Sequence, residues 1–337
     1  MFLIDTSRNG RPVYDAQVNQ SIDAYLLERR PFTGHGLLCY INDPAVIIGR
    51  LQNAYGEVDL AYLKQHRIQL VRRTSGGGAV YHDQGNLVFE NIVIGDPAGF
   101  RDYQAIGAPI AAALRKLGVA SATVRDRDDI AVADKKVSGM AMVKHRDAYA
   151  AGGTLLFDLD EHTARQALTP ASGLKIERGI KSADVPITNL KPFLPATYQD
   201  WTITDLRQYL LCQLFGVDRL EEIPTYHLTK EDWAAIDDRL ASRYGTAAWN
   251  LGKNPGFRHF ASRQTAAGTL YVNYNLDGDR LTAVQFFADF LPLAALEPLG
   301  AALVGKPLEA PTIAAAARPV LPAGVAAQTV AALLTSK

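Results

Sequence analysis

The run Val71-Arg-Arg-Thr-Ser-Gly-Gly-Gly-Ala-Val-Tyr-His-Asp-Gln-Gly-Asn86 carries more potential chemistry than any other stretch of the chain. Arg72 and Arg73 end a β-type segment and lead into Ser75-Gly76-Gly77-Gly78. Three adjacent glycines have no packing function. They permit positive φ and close approach of another group to the backbone. Their N–H groups can turn into one concavity that holds an anion, and a flanking arginine can add charge-assisted bonds. The same residues also read as a plain turn between two strands. His82, Asp83 and Asn86 just beyond the glycines favour the anion cradle. The run is not a Walker A loop, because no Gly-Lys-Ser/Thr follows.

A second segment, Asp134-Lys-Lys-Val-Ser-Gly139, sets a lysine in an alternating strand. Strict alternation places Lys136 and Ser138 on one face and Lys135 on the other, towards solvent. Taken alone, the pair reads as two surface lysines. The two cysteines, Cys39 and Cys212, form neither a metal-type cluster nor a disulfide framework, which suits a reducing cytoplasm. Cys39 lies in an apolar strand and reads as a buried structural thiol. No dedicated metal site is expected.

Elements of both kinds must position these groups. Helical periodicity covers residues 15–29, 102–117, 202–215 and 229–243. Strand patterns cover 37–41, 45–49, 69–73, 86–94, 129–133, 136–142 and 153–157, the first two read as a pair joined by a tight turn at Asn42-Asp43-Pro44. Hairpins mixed with helices predict an α+β fold. The length of 337 residues suggests about two domains, and a Gly/Asn-rich stretch at 245–256 marks the boundary, giving 1–246 and 247–337. Beyond it, strands are expected near 257–262, 268–275 and 280–288, with a type I′ hairpin at Asp277-Gly278. Helical Ala/Leu segments follow. The boundary offers few side chains to lock the two units together, so motion of 257–337 as a body is the expectation.

Charge and hydropathy exclude other classes. Lys+Arg is 35 and Asp+Glu is 35, so no global field favours nucleic acid or an anionic membrane. The first residues turn polar at Asp5, which leaves no signal-peptide apolar region. The apolar stretch 313–334 is interrupted by Arg318, Pro319 and Pro322 and reads as a broken helix pair rather than a membrane span.

Together the two segments resemble the lipoate–protein ligase A family. That family carries Arg-Arg-x-Ser-Gly-Gly-Gly-Ala-Val-[Phe/Tyr]-His-Asp-x-Gly-Asn, found here unbroken from Arg72 to Asn86. Its Asp-x-Lys-Val-Ser-Gly block stands at Asp134 to Gly139, and a Gly-Thr-Leu-Leu strand follows at Gly153 to Leu156. Ile48-Gly-Arg-x-Gln-Asn53 and Val185-Pro-Ile-Thr-Asn-Leu190 match further blocks. The resemblance implies a biotin/lipoate-ligase-type catalytic domain with mixed and antiparallel sheets flanked by helices, plus a small α+β accessory domain.

It also implies a reaction. ATP and lipoate give lipoyl-adenylate and pyrophosphate, and the acyl group then passes to a lysine of a carrier. The carrier would be a 2-oxoacid dehydrogenase lipoyl domain, a glycine-cleavage H protein or an H-like protein. Carried over residue by residue, Lys136 is the catalytic lysine, touching the lipoyl carbonyl and the α-phosphate. Arg73, Gly77, Gly78, Ala79, Val80 and Tyr81 fall on nucleotide-binding positions, and His82 and Asn86 on substrate-binding ones. Mg²⁺ would arrive with the nucleotide. Ile48, Val71, Val80 and Val88 are candidates for an acyl slot, or for plain core. The chain departs from the pattern at Ala151-Gly152, where the family usually has histidine, at Asp184 and Pro186, and at Arg127-Asp128-Asp129. These departures suggest a divergent member serving a dedicated carrier. The rival readings are an octanoyl or lipoyl transferase of the same fold and a degenerate, non-catalytic binder of nucleotide or acyl groups.

Overall fold

The computed structural model describes residues 1–125, 128–170 and 186–335. Arg127, Asp184 and Val185 therefore lie outside the described residues. The chain folds as α+β around three sheets. Among the described residues fourteen strands run in chain order: β1 (Phe2–Asp5), β2 (Gly34–Ile41), β3 (Ala45–Ile48), β4 (Gln69–Arg72), β5 (Val80–His82), β6 (Asn86–Ile94), β7 (Thr123–Arg125), β8 (Asp129–Val132), β9 (Lys135–His145), β10 (Ala148–Leu156), β11 (Thr225–His227), β12 (His259–Gln264), β13 (Thr269–Asp277) and β14 (Arg280–Ala288). The large sheet has the order β11-β1-β2-β6-β10-β9-β8-β7. Its β11-β1-β2 edge is parallel, and every other neighbour is antiparallel.

Both faces of that sheet are covered, which is why its central strands are apolar along most of their length. Helices Tyr103–Lys116 and Ile203–Phe215 pack Ile110, Leu114, Leu206 and Leu210 on Leu37, Phe89 and Leu155. Helix Ala16–Arg29 covers the other face, where Ile22 and Leu26 meet Leu38, Val88 and Ile92. Local signals set the ends of these helices. The Asp15 side chain accepts from the N–H groups of Gln17 and Val18, and Thr202 and Asp205 form a capping box.

The expected pairing of segments 37–41 and 45–49 does not occur. Both edges of β2 are taken by β1 and β6. The Asn42-Asp43-Pro44 turn instead sends the chain into a second sheet, where β3 lies between β4 and β5. Asp43 N–H donates to the Tyr14 carbonyl at 2.8 Å, and the Pro44 carbonyl accepts from Gln69 N–H at 3.0 Å. Those bonds start β3 parallel to β4.

The C-terminal sheet β12-β13-β14 carries helices Glu297–Leu303, Ala310–Ala317 and Ala327–Thr335 around its own core of Val272, Leu281, Phe286, Leu299, Ile313 and Val330. The prolines do break 313–334 into two helices. The β13–β14 turn differs from expectation by one position: Asp277 pairs with Arg280, so Gly278 and Asp279 form the loop. Only Gly278 has positive φ, +59°. A type I′ turn requires it at both central residues, so this turn is not of that type.

The boundary segment is also tied down, contrary to the expectation from its composition. Arg72, fully buried, donates to the carbonyls of Gln52 (2.7 Å), Gly49 (3.1 Å), Trp249 (3.1 Å) and Asn250 (3.2 Å). Asn250 Oδ1 accepts from Arg72 N–H, Trp249 Nε1 donates to the Arg72 carbonyl, and Asn254 Oδ1 accepts from Ala54 N–H. Small polar residues lock this junction because one arginine spends its donors on their backbone.

Candidate active site

The glycine run forms a loop between β4 and β5, and its shape is imposed by Arg73. That side chain donates to the carbonyls of Gly76 (2.6 Å) and Gly78 (2.7 Å), to Ser75 Oγ (3.1 Å) and to the Ile47 carbonyl (3.0 Å). Gly77 sits at φ +91°, and a Cβ there would meet Arg73 Nη2 at 2.9 Å. A side chain is thus opposed both by backbone strain and by the arginine that holds the loop. Gly49 has no room for a Cβ either, because the Gly77 carbonyl would lie 2.1 Å away. Burial pulls the Arg73 guanidinium down to about 10, and the charge of Glu90 opposes that shift.

Of the loop-side predictions, Gly77, Gly78 and Ala79 lie on this loop and Val80 and Tyr81 begin β5. The Tyr81 ring points away. It packs in the core with Val46, Ile48 and Leu63, and lines a separate cleft of about 1030 Å³ that includes neither Arg73 nor Lys136. Only the Tyr81 backbone borders the loop. Ile48 and Val71 are fully buried core, whereas Val88 lies on the face described next.

Lys136 is the second residue of β9 and forms an ion pair with Asp129 of the neighbouring β8. Its backbone is held from both sides: its N–H donates to the Pro186 carbonyl at 3.1 Å, and its carbonyl accepts from Thr188 N–H at 2.9 Å. The β8–β9 register shifts between Ile130 and Ala131. Ile130 pairs with Ser138 and Ala131 with Lys136, leaving Val137 as a bulge. The bulge reverses the expected alternation. An ideal Cβ on Gly139 would meet Lys136 Cε at 2.8 Å and Nζ at 2.9 Å, so Lys136 lies across Gly139 on one face. Ser138 is fully buried and pairs with core residue Ile130 on the other face. Lys135 is exposed, as expected.

The register then carries the Lys136 face across the sheet. Gly139 and Ala141 share it by alternation, Ala141 pairs with Gly152, Gly152 with Glu90, and Glu90 with Leu38. Asn86 and Val88 share it with Glu90 along β6. Asn86 is fully buried, with neither amide atom hydrogen-bonded. His82 Nδ1 meets Asn42 Nδ2 at 2.9 Å, and its Nε2 has no partner. Burial, followed by the charge of Arg73, lowers His82 to about 3, so the ring is neutral at ordinary pH. Unpaired buried polar atoms are uncommon in native proteins and call for a ligand, an ion or water.

Sequence reasoning missed Asp129 as the partner of Lys136, and missed Asp23, Glu90 and the clamping role of Arg72. A lone charge in the apolar run Asn86–Ile94 was the available signal for Glu90. The two cysteines are both buried, and burial pushes the Cys39 thiol up, away from nucleophilic character.

The arrangement presents a backbone cradle, an ammonium fixed at a strand end and orphaned hydrogen-bonding atoms. Such a set can hold phosphate and carboxylate oxygens together. Comparison with known proteins gives the family. Residues 15–215 match the lipoyl protein ligase A/B catalytic domain, and 254–323 the bacterial lipoate protein ligase C-terminus. A lipoate–protein ligase 1 of Staphylococcus aureus is 34% identical over 293 residues, covering 87% of each chain. A lipoate–protein ligase of Streptococcus pyogenes is 33% identical over 312 residues, 92% of this chain and 91% of that one. A crystal structure of lipoate-protein ligase A bound with ATP superposes with a TM-score of 0.57 at 26% identity, over 71% of this chain and 95% of the other. The chain belongs to the lipoate–protein ligase family.

Proposed function

We propose that this protein is an ATP-dependent lipoate–protein ligase. The lipoate carboxylate attacks the α-phosphorus of ATP, forming an acyl–phosphate bond and releasing pyrophosphate. The ε-amino group of a carrier lysine then attacks the acyl carbon, forms the amide, loses a proton and expels AMP. The single observation carrying this reading is the Lys136 ammonium held over Gly139, on a sheet face that also presents the buried, unpaired amide of Asn86.

The first step brings two anions together. A fixed ammonium and a ring of N–H donors offset that repulsion at the transition state without reorganising. Lys136 would exchange its ion pair with Asp129 for the acyl carboxylate and α-phosphate. In this reading Arg73 keeps the loop open, the backbone of Gly77, Gly78, Ala79, Val80 and Tyr81 borders the nucleotide, and His82 and Asn86 orient the acid. Among the described residues no group of three His, Cys, Asp or Glu side chains could cage a metal. Mg²⁺ binds largely through phosphates and needs one or two carboxylates at most, so it would enter with ATP and neutralise its charge.

The acceptor in this reading is a lipoyl domain, an H protein or an H-like protein. The catalytic unit would end at 246 and the accessory unit begin at 247, in a cytoplasmic protein. No helix among the described residues is long and apolar enough to cross a membrane. A thiol-dependent transferase is not favoured, since no cysteine lies between Cys39 and Cys212 and both are buried. The test is mass spectrometry of purified carrier domains after incubation with protein, lipoate and Mg-ATP, with pyrophosphate measured in parallel. One added lipoyl group per carrier is expected. Absence of pyrophosphate release with lipoate would overturn the ligase reading.

A further inference from the structure

Asp23 and Glu90 are carboxylic acids in places where carboxylic acids are rare. Asp23 lies on helix Ala16–Arg29 and is 4% exposed. Glu90 lies in mid-strand between Val88 and Ile92, both core residues. The two carboxyl groups lie close enough for each to act on the other. Asp23 Oδ2 also accepts from Gln20 Nε2 at 2.8 Å and from the Tyr40 hydroxyl at 3.0 Å. Burial and the nearby Glu90 charge hold Asp23 well above the usual carboxylate range. Burial raises Glu90 as well, and Asp23 and the charge of Arg73 act against that rise. Ionised or protonated, Glu90 keeps a carboxyl oxygen that can accept a hydrogen bond. Unlike Asp23, Glu90 is only partly buried, and so remains open to the face it shares with Lys136.

The strand positions between those two residues carry almost no side chain. The Lys136 ammonium lies over Gly139, and the positions between it and Glu90 are Ala141 and Gly152. Gly152 pairs directly with Glu90, and a Cβ there would strike the Phe89 carbonyl. From Gly139 to Glu90 is two residues along β9 and two strands across, about 12 Å at ordinary strand rise and spacing. An extended eight-carbon acid, with carbon–carbon bonds of about 1.5 Å, is roughly 10 Å long. The buried, unpaired amide of Asn86 points onto the same face from the start of β6.

We propose that Glu90, backed by Asp23, ends the acyl slot and selects carboxylic acids whose far end donates a hydrogen bond over acids ending in plain alkyl chain. This rests on the ligase reading and names the part of the substrate that the site discriminates. Hydroxyl-ended and ammonium-ended medium-chain acids belong to the favoured class. So does the reduced, dithiol form of lipoate, whose S–H groups are weak donors. A methyl end would strip water from the Glu90 carboxyl group and return nothing, the same asymmetry by which buried polar groups elsewhere reject substrates lacking a partner.

The experiment measures kcat/KM for acid-dependent pyrophosphate release with octanoate, 8-hydroxyoctanoate and lipoate kept reduced or oxidised. It uses the full-length protein and its Glu90→Leu and Glu90→Gln variants. The unmodified protein should prefer 8-hydroxyoctanoate over octanoate by about tenfold or more, and reduced over oxidised lipoate. Glu90→Leu should invert the first preference, and Glu90→Gln, which keeps the shape, should weaken it without inverting it. ATP affinity by calorimetry reports separately on the loop. Equal loss for every acid, accompanied by weakened ATP binding, would make Glu90 a counter-ion to Arg73 and overturn the proposal. An unchanged ratio in folded variants would also overturn it. Release with none of the acids, lipoate included, would instead remove the ligase reading beneath it.

Discussion

The glycine loop and the bulged β8–β9 hairpin both face the site, but they are built in opposite ways. The loop is held by at least four hydrogen bonds from the one Arg73 side chain, to Ser75, Gly76, Gly78 and Ile47. Its donors are spent on protein, so the loop is shaped before any ligand arrives. Lys136, across the site, has its backbone fixed by Pro186 and Thr188 while its ammonium rests on Asp129. A substrate oxygen can displace that carboxylate by exchanging one partner for another. The difference teaches that the loop is fixed before any ligand arrives, whereas the Lys136 charge keeps a partner it can exchange.

Breaking the loop should have the largest effect. Gly77→Val places a branched side chain at positive φ and against Arg73, and we expect calorimetry to detect no ATP binding by a variant whose circular dichroism is native. Retained micromolar affinity would demote the loop to an ordinary turn. Breaking the hairpin's charge comes next. Lys136→Ala should lower the rate of acid-dependent pyrophosphate release by about 10²–10³ while leaving thermal stability nearly unchanged. A loss confined to ATP affinity would move Lys136 from the reacting atoms to the nucleotide alone.

A smaller effect, on stability, should come from His82 beside the loop. Its folded pKa, about 3, is below the unfolded value near 6.5. Between those values the unfolded chain binds the extra proton, so stability rises with pH through that window and falls as the solution is acidified. The slope approaches about 1.4 kcal/mol per pH unit from this one group. Urea denaturation at pH 4.5 and 7 should show a smaller pH difference in His82→Gln than in the unmodified protein. The least effect is expected from Lys135→Ala, whose side chain is exposed. If its pyrophosphate release fell as far as that of Lys136→Ala, the hairpin register derived above would be wrong.

Much of the fold was legible because its signals are local. Asp15, Thr202 and Thr229 mark helix starts by the hydrogen bonds their own side chains can accept, and the apolar run at 86–94 became strand β6 with those bounds. The pairing of strands was less legible. The turn Asn42-Asp43-Pro44 promises a hairpin, and only the occupied edges of β2 show why none forms. The Gly/Asn-rich stretch at 245–256 promised a loose joint, but Arg72 lies nearly 180 residues earlier in the chain and no local pattern reveals where its donors go. Any relative movement of the accessory unit must therefore hinge beyond Asn254, or break that clamp.

By itself the sequence determined the glycine loop, the strand that carries Lys136, most of the longer helices and strands and, through its motifs, the family. Those features depend on residue type and short spacing, which chain order preserves. Tertiary structure alone decided which of two adjacent arginines clamps the junction and which shapes the loop. It also decided that a bulge at Val137 puts Lys136 on the face of Gly139 rather than that of Ser138, and that Asp23 and Glu90 meet across 67 positions. The reason is physical. A one-residue change of register reverses the face a side chain occupies. A buried charge is tolerable only where distant groups converge to satisfy it, and neither condition is written in the neighbouring residues.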